Sequence, residues 1–387
     1  MIWILYICAA LLLLVICDIA YRFIRFQRQA LPLEIKCFSP YDEPFHPCVL
    51  YFKEGFGGYK YWMAETPLPK VGIPYSERWE CPTIHVSNNG VDWLPGVEDS
   101  FPLADLTPDE IEAKCYYSDP HLVYAKDKLE CWYRFCRMDG STIVETKFLR
   151  RITSDGIVWS QPELLCQWYH QYDEDNIKHS ATELLFDNVR AGDIDRQLVL
   201  SPSVEYDGAL YHMWYCVQDN AGQLHVAYST SSDAQHWEDR NICELQGGSH
   251  LRPWHLSVLT YEDSFSLTLY DAKVRDVSLW EGKDPMHFQF SKCLLSTKKV
   301  LGCPYSRRLY RSSLVHDGEW TLYYSADSHN KASIGLMHGR DLMNLKQSRI
   351  NHRFELKKFW QEYCSYLNFK KKRLAPKFAK IFKIRKK

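Results

Sequence analysis

The chain opens with an almost unbroken apolar run, Ile2 through Cys17, carried past Asp18 by Ile19, Ala20 and Tyr21. About 20 apolar residues at roughly 1.5 Å each suffice to cross a bilayer core, so the run predicts a membrane-spanning helix over residues 1–21. No basic residue precedes it and no small-x-small site ends it, which argues against a cleaved signal peptide. Arg22, Arg25 and Arg28 follow it, in a basic juxtamembrane linker over 22–40. By the positive-inside rule, the body of this single-pass chain is expected on the cytoplasmic side.

From residue 41 to about 350 the hydrophobic period shortens to that of strands. Five segments share one plan, a short apolar strand, a tight turn and an aromatic-rich strand. They start at His46-Pro47-Cys48, Asp119-Pro120-His121, Ser201-Pro202-Ser203, His255-Leu256-Ser257 and Arg311-Ser312-Ser313. Asp207-Gly208 and Asp317-Gly318 supply turns of the kind that need positive φ. After the first three hairpins a polar turn leads to Trp93, Trp159 or Trp237. Five units of about 60 residues fit four-stranded blades, so the pattern predicts an all-β, five-bladed β-propeller. A β-sandwich is the rival fold, but it does not account for a repeated hairpin followed by a turn and Trp.

Composition sharpens this picture. Aromatics make up 14% of the chain, with 13 Trp and 25 Tyr, which suits pleated cores and sugar stacking alike. The net charge of −1 hides an asymmetry. Residues 370–387 hold ten Lys or Arg and no acid, so the rest of the chain carries an acidic excess. An acidic body fits neutral or cationic ligands and argues against nucleic acid. The tail, 351–387, places Leu374, Phe378, Ile381 and Phe382 near one helical face among lysines, a pattern suited to an anionic membrane surface. The 14 cysteines show no Cys-x-x-Cys pair, so a reducing compartment and free thiols are expected and no zinc site is.

In a propeller, innermost strands begin around one central funnel. That geometry would gather His46, Cys48, Asp119, His121, Ser201, Ser203, His255, Ser257, Arg311 and Ser313 into a polar ring on otherwise apolar strands. His46, Cys48, His121, Ser203, His255 and Arg311 are the candidate substrate contacts. No phosphate loop, dinucleotide fingerprint or Gly-x-Ser-x-Gly is present, and the histidine spacings carry no metal motif, so neither cofactor nor metal is expected.

The x-Pro-x-apolar-apolar-Tyr strand starts resemble those of five-bladed propeller glycosidases, glycoside hydrolase families 43 and 32, over about residues 40–350. The resemblance implies two or three carboxylates at the funnel and a glycan or glycolipid substrate. Cys48 stands where those families carry a carboxylate after the first-blade proline. Asp119 precedes its proline rather than following it. Trp79-Glu80-Cys81-Pro82 looks like the Glu-Cys motif of family 32, whose Glu is the acid/base. Glu80 and Asp119 are therefore the candidate catalytic pair, and Glu183, in the approach to the third blade, is a third candidate carboxylate. Glycosyl transfer needs one carboxyl kept protonated and one kept charged, about 5 Å apart for retention and about 6.5–9.5 Å for inversion. Besides a scaffold that binds protein partners on the propeller rim, two functions remain open at this point. One is a membrane-anchored glycoside hydrolase. The other is a non-catalytic glycan-binding propeller serving cell-surface polysaccharide assembly, which Cys48 in place of an acid favours.

Overall fold

Each of the five hairpin units folds into its own antiparallel sheet, with the strand that opens the unit innermost. Blade I holds Cys48–Phe56, Tyr59–Glu65, Thr83–Ser87 and Leu94–Pro95. Blade II holds Tyr116–Ala125, Lys128–Asp139, Thr142–Thr153, Glu163–Tyr172 and Lys178–Glu183. Blade III holds Leu200–Tyr206, Tyr211–Gln218, Leu224–Ser231 and Asn241–Ile242. Blade IV holds Pro253–Tyr261, Ser264–Asp271, Asp276–Gly282 and His287–Ser296, and Glu244–Gln246 joins its outer strand in parallel. Blade V holds Arg308–His316, Trp320–Asp327, Ala332–Gly339 and Lys346–Gln347. The protein, described here by a computed structural model, is thus a five-bladed β-propeller. Its description covers residues 2–27, 33–69, 80–140, 142–172, 178–183, 200–218, 223–238, 240–248, 251–297, 308–327 and 332–347, with 360, 363, 364, 367 and 371.

Neighbouring innermost strands pack in the order I, II, III, IV, V and back to I, which closes the ring. The cores lie between blades. Trp132 and Phe148 of blade II pack with Tyr211, Met213 and Trp237 of blade III, and Trp214 of blade III packs with Leu256 and Trp280 of blade IV. Each of these rings removes some 150–250 Å² of mostly apolar surface from water, so inter-blade burial dominates the stabilisation. The seam between blades V and I is covered by the segment before blade I. Leu33 N–H donates to Ile334 O (2.9 Å), Ala332 N–H donates to the Glu43 carboxylate (2.6 Å), and buried Leu33 packs with Val49, Ile334 and Leu336.

A polar turn recurs in all five blades, two more than the sequence pattern reveals. Asn89, Asp155, Asp233, Asp284 and Asp341 each accept backbone N–H groups two or three residues ahead, at 2.8–3.0 Å. Such Asx turns fix the link to the outermost strand. In blades I and III the Trp that follows donates its indole N–H back into the turn, from Trp93 to Gly90 O and from Trp237 to Ala234 O. Blades IV and V keep the turn without the Trp, which is why pattern reading stops at three.

Side chains of the innermost strands also stitch each blade to the next. Leu122 N–H donates to Cys48 Sγ (3.2 Å), Val204 N–H to His121 Nε2 (2.8 Å), Val258 N–H to Ser203 Oγ (2.9 Å), and Val49 N–H to Ser313 Oγ (2.9 Å). Four junctions of the ring thus use the same register position. Removing an acceptor strands a buried N–H at a cost of about 1–3 kcal/mol. Ser313→Ala is therefore expected to lower unfolding free energy by that amount in denaturant titration, through the blade V to blade I seam.

The opening helix spans Ile2–Gln27, and its Tyr6–Ile24 stretch has a mean hydropathy of 2.3 with none of it buried against the rest of the chain. It is long and apolar enough to cross a membrane, a property that signal sequences near an N-terminus share. Near its end Asp18 accepts from Arg22 Nε (2.8 Å) and from the Tyr363 hydroxyl (3.2 Å), so the C-terminal segment touches the helix. The apolar positions proposed for the tail, Leu374, Phe378, Ile381 and Phe382, lie outside the described residues.

Candidate functional site

The polar strand starts meet on the propeller axis at two heights. The lower tier, Cys48, His121, Ser203 and Ser313, makes the inter-blade stitches. The upper tier, His46, Asp119, His255 and Arg311, forms a compact charged cluster at the funnel. Three of the five strand starts are X-Pro corners, at His46-Pro47, Asp119-Pro120 and Ser201-Pro202, and the first residue of each has a φ of 51–52°. Residues before proline normally adopt extended backbone, and non-glycine residues at positive φ are uncommon and concentrate at functional sites. Glu80 shares the same conformation, at 52°. The ladder of blades II and III shifts register at the same corners, between Ser118 and His121 and between Leu200 and Ser203. Bulges of this kind re-aim side chains at strand ends.

Asp119 sits at the centre, 1% exposed. Arg134 Nη2 lies 3.3 Å from its Oδ2, while His255 Nδ1 at 3.5 Å and Arg311 Nη1 at 3.8 Å face its Oδ1. Burial raises the Asp119 carboxyl, but Arg134, His255 and Arg311 together outweigh it and hold the group at about 2. His46 stands 5.4 Å from His255, ring to ring. Its Nδ1 bonds the Thr66 hydroxyl (2.8 Å) and lies 3.6 Å from Glu80 Oε2. Burial and the Arg311 charge keep both imidazoles neutral against the pull of Asp119. His255 is pushed down to about 3, and His46 is pushed well below its ordinary value, there with His255 as the second cause.

These contacts are ion-pair distances rather than hydrogen bonds. Both ring nitrogens of His255, His46 Nε2, Asp119 Oδ2, and Arg311 Nε and Nη1 are buried without a hydrogen-bond partner. Nearly all buried polar atoms in proteins are paired. Six that are not are gathered here on one axis. Tyr310 forms its wall, 4.1 Å from the His255 ring and 5.0 Å from the His46 ring, and is fixed by a hydrogen bond from Trp254 Nε1 to its hydroxyl (2.8 Å). Among the described residues, no three His, Cys, Asp or Glu side chains are grouped so as to hold a metal ion.

Of the sequence candidates, His46, Asp119, His255 and Arg311 converge, and Glu80 reaches the cluster through His46. Cys48, His121 and Ser203 lie one step down the axis with their polar atoms engaged in the ring stitches. Burial raises the Cys48 thiol and, with Arg311, lowers His121 to about 3, so this pair is neutral thiol and neutral imidazole. Glu183 ends the outermost strand of blade II, its backbone paired with Gln167, and its side chain lies outside the described residues. A separate cavity of about 130 Å³ runs below the lower tier, lined by Cys48, His121, Glu205, Ser257 and Ser313, and Asp119 is not part of it. Sequence reasoning missed Arg134 and Tyr310. Arg134 carried a signal, since it interrupts the buried run Cys131-Trp132-Tyr133-Arg134-Phe135-Cys136, and a charge there requires a partner.

No family profile matches the chain. It is 25% identical over 333 residues to an A type blood N-acetyl-α-D-galactosamine deacetylase of Flavonifractor plautii, covering 75% of this chain. The chain spans about two fifths of that relative's length, 41%. Among solved structures, an N-acetylgalactosamine deacetylase from F. plautii, in complex with blood group B trisaccharide, superposes with a TM-score of 0.58 at 21% identity, over 82% of this chain and 94% of that one. The β-xylosidase RS223 gives 0.53 at 12% identity over 82% and 98%. The xylan β-1,4-xylosidase of Bacillus halodurans C-125 gives 0.51 at 12% over 83% and 60%. The fold is therefore the five-bladed propeller of the family 43 glycosidases and of this deacetylase, and the proteins that share it are carbohydrate-active enzymes acting on glycans.

Proposed function

We propose that this protein is a carbohydrate-active hydrolase that removes an acetyl group from an N-acetylated sugar of a glycan or glycolipid. The observation that carries the reading is the state of Asp119. It stands among Arg134, Arg311 and His255, and cations hold it charged. A glycosidase needs a second carboxyl that stays protonated, and the strand starts supply histidines, serines and an arginine instead. Amide hydrolysis suits that set. Neutral His255, backed by the Asp119 carboxylate, can take a proton from a water as it attacks the acetamide carbonyl. Arg311, with Nε and Nη1 unpaired, can stabilise the oxyanion that forms. The proton then passes to the leaving nitrogen as the C–N bond breaks, giving acetate and a free amine. The deacetylase relative supports the same reading.

Hydrolysis of the glycosidic bond by Glu80 and Asp119 remains the second reading, favoured by the 3.6 Å approach of Glu80 to His46. The test is mass spectrometry of oligosaccharides ending in N-acetylgalactosamine or N-acetylglucosamine after incubation with the full chain in detergent. Loss of one acetyl group is expected. Loss of a whole sugar would favour the second reading, and an unaltered but bound glycan would make the protein a lectin-like propeller. His255→Asn is expected to slow acetyl loss by about two to four orders of magnitude.

The location proposed with this function is a membrane, with the opening helix as the anchor. Arg22, Arg25 and Arg28 after that helix support a cytoplasmic body, and the ten Lys or Arg of residues 370–387 support contact with an anionic lipid surface.

A further inference from the structure

Arg308 opens the innermost strand of blade V at the rim of the funnel, with 43% of its side chain exposed. Its guanidinium lies 5.5 Å from the Phe45 ring centroid and 5.2 Å from that of Tyr310, two rings stacked on each other at 5.6 Å. Its one ion pair among the described residues runs from Nε to Asp327 Oδ2, at 3.2 Å. That contact uses the back of the guanidinium. The two Nη groups, the prongs of the fork, have no hydrogen-bond partner among the described residues. The same Tyr310 ring touches His255 and His46, so the free fork stands one aromatic ring away from the reacting cluster.

We propose that Arg308 forms an anion subsite, and that the glycan taken by this funnel carries an acidic substituent, a carboxylate or phosphate, on or next to the sugar that reacts. This rests on the reading of the funnel as a glycan site and adds the charge of its substrate. The argument is one of preorganisation. An arginine fork matches two oxygens of a carboxylate or phosphate at once. Here Asp327 on one side and two ring faces on the other already fix the fork, so little side-chain freedom is left to lose on binding. The acidic excess of the body opposes an anionic ligand only weakly, because distant surface charges are screened beyond about 10 Å at ordinary ionic strength. Contact at the fork is decided locally, where Arg308 adds its charge to those of Arg134 and Arg311 around His255.

The test is a binding titration with the full chain in detergent. The probes are oligosaccharides ending in a uronate, their neutral parents and their phosphorylated counterparts. The wild type is expected to bind an acidic probe about tenfold or more tighter than its neutral parent, and added salt should narrow the gap. The better of the uronate and phosphate arms identifies the substituent. Arg308→Gln should erase the preference without weakening the neutral probe. Arg308→Lys, which keeps the charge and loses the fork, should erase most of it. Equal binding of acidic and neutral probes by the wild type would overturn the proposal and leave the glycan site standing. Equal loss of both probes in Arg308→Gln would overturn it too, by making Arg308 a structural residue. If no oligosaccharide binds, the glycan reading itself falls and the anion subsite falls with it.

Discussion

Asp119→Asn is expected to abolish turnover and to destabilise the propeller by about 3–5 kcal/mol, because it leaves buried guanidiniums without their counter-charge. The substitution keeps the shape and turns one acceptor oxygen into an amide donor, so packing loss is small and the effect is electrostatic. Arg134 and Arg311 are both deeply buried. Arg134 also donates through Nε to Ser118 Oγ (2.8 Å), and Arg311 donates through Nη2 to Pro202 O (3.0 Å), so neither can swing out to water without breaking a second contact. A double-mutant cycle isolates the pair. Adding Arg134→Met to Asp119→Asn should recover part of the stability and none of the activity, with a coupling of about 1–3 kcal/mol. Simple additivity would mean that Asp119 and Arg134 do not share a field. Chemical denaturation of the three variants, read beside acetyl release, checks both halves.

Acid should unfold the protein well before its carboxylates titrate. His46, His121 and His255 are all held neutral below their ordinary values, two of them at about 3. A histidine whose folded pKa is depressed binds its proton more readily in the unfolded chain. Between the unfolded value, near 6.5, and the folded one, the unfolded state takes up protons that the native state refuses, so stability rises with pH. Each fully buried imidazole then costs on the order of 2 kcal/mol at pH 5 relative to pH 7. Asp119 adds a loss of the same sign only below its unfolded value of 3.8, as pH falls toward about 2. Glu205, raised by burial, works in the opposite direction near its own range. Melting temperature should therefore drop steeply between pH 6.5 and 5. A flat profile across that window would contradict the burial of three neutral histidines. His121→Gln should flatten it by about one third.

How much of this could be read in the residues differs between scaffold and site. The five hairpins were legible because strand alternation, Asp-Gly turns and Trp after a polar turn are local signals. The convergence of His46, Asp119, His255 and Arg311 followed from ring closure alone, since equivalent strand starts must meet on the axis. What sequence could not separate was the two heights. Cys48, His121 and Ser203 lie two residues beyond His46, Asp119 and Ser201, and polarity marks both sets alike. Only the register of the neighbouring blade reveals that the second set accepts backbone N–H groups across the ring. Arg134 and Tyr310 escaped for a related reason. The first comes from a second strand, opposite Ser118 in the ladder, and the second is one aromatic among many. Family resemblance pointed to carboxylate pairs; here Asp119 is ringed by guanidiniums and imidazoles, and Glu80 meets that cluster through His46.

The most direct test of the whole account is a crystal structure of the full chain with a bound N-acetylhexosamine oligosaccharide. The acetamide should lie on the axis above Asp119, its carbonyl oxygen toward Arg311 and its carbonyl carbon within reach of a water held by His255. A sugar bound at the opposite mouth, or at the blade edges with the axis cluster untouched, would contradict it.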